Sequence, residues 1–278
     1  MDRISNYQEI NDKIKFIKEG KKGIITNFYP DIEIVTSWIN SGNLHFFQYA
    51  GTLLLLRTNK DFVNLYFVTA SYDSLQNALI HLNNEISDIR FVVDLVGKIP
   101  DIGLASDVFV KSGFSEYAKL CRMSRKVSDK DHFAINSHIL PAKIIHAGNI
   151  LDLLYTYFDP VSEQLPGIDE VKKWIASGNI SIYLSDNKIL GFVIYINKGY
   201  SSYLRYWFVH PEHRDKKIGS ALLNKYFSDA KDARLMFFWV IMSNENAVLR
   251  YKHYGFQMEN FYDIVLTKNL INNETENN

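Results

Sequence analysis

The sequence predicts two α/β (α+β) domains in tandem, each a mixed, mostly antiparallel sheet flanked by helices. Three observations predict it: a length of 278 residues, landmarks that recur after about half that length, and strand-like apolar runs mixed with helical runs in both halves. At roughly 100–200 residues per domain, the length suits two domains. The landmarks are "WINSGN" from Trp38 and "WIASGN" from Trp174, Gly51 before "TLLLLRT" and Gly191 before "FVIYINK", "LYFV" ending at Val68 and "YWFV" ending at Val209, and Gly113-Phe114 against Gly255-Phe256. They keep their order and lie 136, 140, 141 and 142 residues apart. Solenoid repeats recur every ~20–50 residues, so this period marks duplicated domains.

Each half opens with a helix carrying the Trp, over 31–40 and 168–177. Both stop at Ser-Gly-Asn, because Gly or Asn tolerates the left-handed position that ends a helix. Two apolar segments follow, 44–56 and 62–68 in the first half, 180–196 and 203–209 in the second. Their β-branched and aromatic content predicts strands. Next come the helical runs "DSLQNALIHL" and "KKIGSALLNKYFSDA", the strands "IRFVVDLV" and "RLMFFWVI", a short helix ending at Gly-Phe, and a last strand pair. The polar stretch before His138 serves as linker. The expected organisation is a domain over 1–126, a linker over 127–139, a second domain over 140–270 and a solvated tail over 271–278.

Composition excludes several classes. With 47% hydrophobic residues the chain can bury a core, which argues against disorder. Lys plus Arg and Asp plus Glu both number 31, and the zero net charge counts against a general binder of nucleic acid or anionic membrane. The single cysteine, Cys121, rules out an intrachain disulfide framework, fits a reducing compartment and is expected in the core. The N-terminal stretch has no apolar run of signal-peptide length, and no window nears the ~20 apolar residues of a membrane span. A cytoplasmic protein without nucleic-acid or membrane partners is expected, with homodimerisation left open.

The chemistry lies in two runs of the second half. In "YWFVHPEHRDKKIGSALLNKYF", a strand runs into His210-Pro211, and Pro cannot continue the ladder because it lacks an N–H. The chain then enters a helix with Ile218, Ala221, Leu222 and Tyr226 at helical spacing. A loop opening a helix presents free N–H groups at the positive end of the helix dipole, and such geometry binds phosphate. Gly219 would let the phosphate approach with no Cβ in the way. A plain helix start explains the same residues. The second run, "NENAVLRYKHYGF", has Asn244 as a cap, then a helix, Tyr251 and a Gly-Phe stop.

Together the two runs resemble the GNAT family of acyl-CoA-dependent N-acyltransferases, over roughly residues 140–268. The first family pattern is a strand ending in Val, a Pro, then Arg or Gln-x-x-Gly-x-Gly or Ala; here it is Val209, Pro211 and "RDKKIG". The second is Asn, a Tyr seven residues on, and Gly-Phe, here Asn244, Tyr251 and Gly255-Phe256. The resemblance implies a catalytic Tyr251 that protonates the departing CoA thiolate. It implies pyrophosphate binding along Arg214, Asp215, Lys216, Lys217, Ile218, Gly219 and Ser220, and pairing of the pantetheine arm with the strand edge at Phe208 and Val209. Asn244 would contact the same arm. The co-substrate is then acetyl-CoA or another acyl-CoA, the partner a small-molecule or peptide amine, and the reaction direct attack by the neutral amine. No metal is expected, since His210 and His213 offer two ligands on a loop without further partners.

Two departures from the family pattern stand out. Lys217 replaces the first Gly: where the position needs only a helical backbone, the expected case, Lys is harmless and its ammonium helps a phosphate, and where it needs close contact CoA affinity suffers. The strand "SYLRYWFV" has no acid to act as base, leaving Tyr206, His210, Glu245 and Asp263 as substitutes. Asp159, Glu163, Asp169 and Glu170 precede or open the Trp174 helix; they hint at a cationic acceptor or are simply solvated. In the first half, Tyr72 and Asp73 occupy the phosphate-loop position and Phe109 stands where Tyr251 does. The first half is therefore expected to be a GNAT-like fold without the acyl-CoA apparatus. A non-catalytic acyl-CoA- or ligand-binding protein is the alternative, and a transferase using aminoacyl-tRNA a third reading.

Overall fold

The computed structural model describes residues 2–21, 23–85, 89–127 and 136–270. Two compact units form, Met1–Leu120 with Asn260–Asn278, and Cys121–Glu259. Unit 1 contains β1 (Asp2–Arg3), α1 (Tyr7–Lys18), β2 (Ile25–Thr26), α2 (Ile32–Asn40), β3 (Leu44–Tyr49), β4 (Thr52–Thr58), β5 (Val63–Thr69), α3 (Tyr72–Glu85), β6 (Ile89–Gly97) and α4 (Ile99–Lys111). Strands β3, β4 and β5 run antiparallel, and β6 joins β5 in parallel. The run "LLLL" in β4 is apolar throughout because both faces are covered. Leu54 and Leu56 face a core with Phe67, Phe91 and Phe109, whereas Leu53 and Leu55 face one with Ile10, Val35 and Val68.

The strand β7 (Ser115–Lys126) carries the chain into unit 2, which contains β8 (Ile139–Pro141), α5 (Ala147–Tyr157), α6 (Ile168–Ala176), β9 (Ile180–Ser185), β10 (Lys188–Lys198), β11 (Ser201–Val209), α7 (Ile218–Asp229), β12 (Leu235–Ile241) and α8 (Glu245–His253). Strands β8 to β11 are antiparallel and β12 joins β11 in parallel. One core gathers Leu222, Phe227, Phe238 and Phe256; the other gathers Ile150, Trp174, Phe192 and Phe208.

The mixed, mostly antiparallel tandem architecture is as the sequence predicts, but the boundaries differ. The units divide at 120/121 and 259/260 rather than at 126 and 140. The cause is β13 (Gln257–Leu270), which pairs with β6 from Tyr262↔Gly97 to Leu270↔Ile89 and so closes an edge of unit 1 with the end of the second repeat. Most of the expected linker and all of the tail lie outside the described residues.

The apolar segments 44–56 and 180–196 are each a hairpin rather than a single strand. The turns are Ala50-Gly51 (φ 47° and 78°) and Asp186-Asn187 (φ 49° and 60°), both residues left-handed as a two-residue hairpin requires. The counterpart of Gly51 is therefore Asn187. Gly191 lies inside β10 opposite Val209, where a Cβ would come 2.7 Å from the Phe208 carbonyl oxygen. The other landmarks hold. Asn43 N–H donates to the Trp38 carbonyl at 3.0 Å and Asn179 N–H to that of Trp174 at 2.9 Å, the same six-residue helix stop in both halves. Phe114 and Phe256 repeat this onto the carbonyls of Phe109 and Tyr251, so those two residues are equivalent in fold. Cys121 is fully buried. Among the described residues no helix is long and apolar enough to cross a membrane.

Candidate active site

The site begins with a break in strand pairing. Strands β11 and β12 pair only over Ser201–Tyr203 and Leu235–Phe237, although they continue to Val209 and Ile241. Beyond Tyr203 they diverge, leaving the β11 edge over 204–209 without a strand partner on that side among the described residues. A local cause is visible in the β10–β11 register, where Ile194 faces Tyr206 but Tyr195 faces Leu204. Arg205 is the extra residue of a bulge, and bulges increase twist and bend the strand that carries them. Past the bulge, Phe208 turns its ring into the core near Phe192 and Tyr157, while its backbone stays on the open edge.

The strand ends at Val209, and after His210 a 3-10 helix over Pro211–Lys216 leads into α7. Arg214, Asp215, Lys216 and Lys217 are exposed, whereas Ile218 is buried in the core. Ser220 Oγ lies 2.7 Å from the Tyr254 hydroxyl. Two expectations change here. At Gly219 the space a Cβ would need is taken by the protein itself, with Trp207 Cζ2 at 3.1 Å and Val209 Cγ2 at 3.4 Å. And Lys217 is not in a right-handed helical conformation: with φ 57° and ψ 14° it is left-handed, the conformation that favours Gly. Replacing Lys217 by Gly should raise stability by about 1 kcal/mol, read as a higher urea midpoint at unchanged slope. An unchanged or lower midpoint would mean that the lysine side chain offsets the backbone cost.

Asn244 caps α8, its Oδ1 accepting from Ala247 N–H at 3.1 Å, so only its amide nitrogen is left to reach outward. Tyr251, one turn before the helix stop, packs its ring on Phe238 (centroids 4.0 Å apart) and Trp207 (5.5 Å). Burial raises its phenol pKa and the charge of Glu163 raises it further, with Arg250 opposing.

Glu163 is an acid that neither motif singles out. It sits in the loop between α5 and α6, which Asp159 organises by accepting from the Ser162 N–H and hydroxyl at 3.2 and 2.6 Å. That loop is stapled to β11: the Tyr206 hydroxyl donates to the carbonyls of Glu163 (3.0 Å) and Gln164 (3.1 Å), and Arg205 Nη2 donates to Gln164 O at 2.9 Å. Burial and the Asp159 charge push the Glu163 carboxyl up to about 7, against the pull of Arg205. Three of the other candidate bases are committed elsewhere or exposed, and the fourth, His210, is half-buried with Nε2 3.2 Å from the Tyr157 hydroxyl. Tyr206 is a structural donor with its pKa raised by burial, and Glu245 is exposed in the first turn of α8. Asp263 belongs to unit 1, where burial and the neighbouring Asp94 hold its carboxyl well above the usual range. Asp169 and Glu170 are exposed.

Residues 149–256, which span this whole arrangement, match the model of the acetyltransferase (GNAT) family. The chain carries a GNAT-family acetyltransferase domain over these residues. Its tandem plan is similar to that of a tandem GNAT protein from the clavulanic acid biosynthesis pathway, solved without AcCoA, at 11% identity and TM-score 0.59 with 95% of this chain and 96% of that chain covered. GCN5-related N-acetyltransferases from Sphaerobacter thermophilus (12% identity, TM-score 0.57, 87% and 86% covered) and Kribbella flavida (12%, 0.55, 84% and 94%) share the fold. No curated protein matches in sequence.

The first GNAT-like half has the same splay and fills it with its own chain. Strands β5 and β6 pair only at Val63↔Phe91 and Asn64↔Val92. Since β4 covers the other edge of β5, β2 lies in the gap, pairing Ile25 with Thr69 and Thr26 with Val68. Asn27 completes the plug: its Oδ1 accepts from Phe67 N–H at 2.7 Å, and its Nδ2 donates to the carbonyls of Leu65 (3.2 Å) and Asp94 (3.1 Å). At the head of α3, the Ser71 hydroxyl accepts the Ser74 N–H at 3.1 Å, taking a donor that an anion would need. Phe109 is fully buried where the second half has Tyr251.

Proposed function

We propose that unit 2 is an acyl-CoA-dependent N-acyltransferase that moves acetyl from acetyl-CoA to a primary amine. The observation that carries this reading is the open β11 edge at 204–209, with a helix N-terminus beyond its end and the Glu163–Tyr251 pair beside it. The pantetheine amides add to the Phe208–Val209 edge as an extra strand, and a backbone N–H there polarises the thioester carbonyl. The pyrophosphate rests on the N–H groups between Asp215 and Ser220, with Arg214, Lys216 and Lys217 supplying charge, and Asn244 Nδ2 meets the cofactor arm. Glu163 removes a proton from the incoming ammonium and passes it to solvent. The neutral amine then attacks, the C–S bond breaks, and Tyr251 supplies the thiolate with a hydrogen bond and then a proton drawn finally from the amine. A carboxylate at this point and Asp159 behind it favour a cationic acceptor.

Because unit 1 closes its own splay, calorimetry with acetyl-CoA should give one site per chain, and CoA thiol release should appear with a panel of primary amines. Two equivalent sites would overturn the reading of unit 1. Binding without thiol release, whatever the amine, would leave a non-catalytic acyl-CoA-binding protein. Retention of aminoacyl-tRNA without CoA binding would exchange the substrate class altogether.

A further inference from the structure

The run "HPEH", His210 to His213, is not used by the acyl-transfer reading, and its local geometry points to a second kind of ligand. Pro211 ends β11 and starts the 3-10 helix, in which side chains three apart eclipse one another. The His213 N–H donates to the His210 carbonyl at 2.9 Å, so the turn is closed and brings the two imidazoles near each other. Their ring centroids are 5.7 Å apart. Glu212 Oε2 lies 4.0 Å from His210 Nδ1, and one ligand atom from each of His210, Glu212 and His213 lies within 4.8 Å of the others.

Both Nδ1 atoms are buried without a hydrogen-bond partner among the described residues. An imidazole nitrogen in that state costs free energy unless something occupies it. On its other side, His210 Nε2 lies 3.2 Å from the Tyr157 hydroxyl, which can accept from it. Donation from Nε2 to that oxygen leaves the Nδ1 lone pair directed at the cluster, the arrangement in which metal-bound histidines are oriented by an outer partner. Ligands of a tetrahedral zinc stand about 3.3 Å apart. The three ligand atoms lie within 4.8 Å of one another, so binding draws the side chains together around the ion.

We propose that His210, Glu212 and His213 form a binding site for a divalent transition-metal ion of the zinc class. Two imidazoles and one carboxylate select zinc and its neighbours over magnesium or calcium, which prefer all-oxygen shells. The solvent side of Glu212 leaves a fourth position for water. The site is independent of the acyl-transfer reading and stands or falls without it.

The test titrates Zn2+ into the metal-stripped full chain against a chromophoric chelator, for the wild type, His213→Ala and Glu212→Gln, with circular dichroism confirming that each variant is folded. The expected result is one competed Zn2+ per wild-type chain and an affinity lower by roughly 100-fold in His213→Ala, at or above what losing an orienting partner costs. Glu212→Gln should fall between the two. X-ray absorption on the loaded chain should give two imidazole nitrogens in the wild type and one in His213→Ala. Equal affinity in wild type and His213→Ala, or no competition with the chelator, overturns the proposal.

Discussion

Glu163→Gln should lower turnover by about 100-fold or more, the range a positioned general base contributes. It should also remove the rising limb of kcat/KM near pH 7. The carboxyl is raised to about 7, so the fraction able to accept a proton grows as pH climbs through that value. Stability should move the opposite way. In the unfolded chain the group ionises near its ordinary value of 4.5, while the native chain holds the proton up to about 7. Native stability from this group is therefore complete in acid and lost as pH rises between those values. At pH 8 the wild type bears the full cost of a buried carboxylate, up to about 3 kcal/mol. Gln is neutral throughout, so the variant should unfold at a higher temperature at pH 8 and match the wild type near pH 4. Loss of activity with gain of stability is the pattern of a residue held in place for chemistry. A limb near pH 7 that persists in Glu163→Gln would pass the role to another group.

The sequence carries the positions that local chemistry dictates. A helix stop needs a left-handed residue, so Gly42 and Gly178 mark the ends of α2 and α6 (φ 74° and 72°), and the two Gly-Phe stops align Phe109 with Tyr251. The strand–loop–helix of Val209 to Ser220 is readable because Pro211 and the apolar spacing of α7 fix it. Positions set by long-range pairing are not readable in this way. Nothing in "FYDIVLTKN" says that it pairs with Arg90 and Val92 rather than staying with its own repeat. Asn27 is an ordinary loop residue until its amide is seen bridging β5 and β6. In sequence Glu163 is one loop acid among four; what distinguishes it is Tyr206, 43 residues away, holding its carbonyl. The left-handed backbone of Lys217 is not readable either, because it is set by how the 3-10 turn meets α7.

Tyr251→Phe should leave acetyl-CoA binding within about twofold and lower turnover by roughly 10- to 100-fold, somewhat less than a full general acid is worth. Binding survives because Phe keeps the ring contacts with Phe238 and Trp207, and the first repeat already accommodates Phe at the equivalent position. The lower ceiling on turnover follows from the pKa. Burial and Glu163 keep the phenol protonated across the working pH range, so it is always a donor but gives up its proton reluctantly. No falling limb in the pH profile should therefore belong to it. The same coupling sets the double variant. Without the Glu163 charge Tyr251 becomes the better acid, so part of the loss in Glu163→Gln is returned through Tyr251 and vanishes when Tyr251 is Phe. Glu163→Gln with Tyr251→Phe should consequently lose more than the product of the two single losses. Strict multiplicativity would mean that the two groups do not sense one another, and unchanged turnover in Tyr251→Phe would take the phenol out of the reaction.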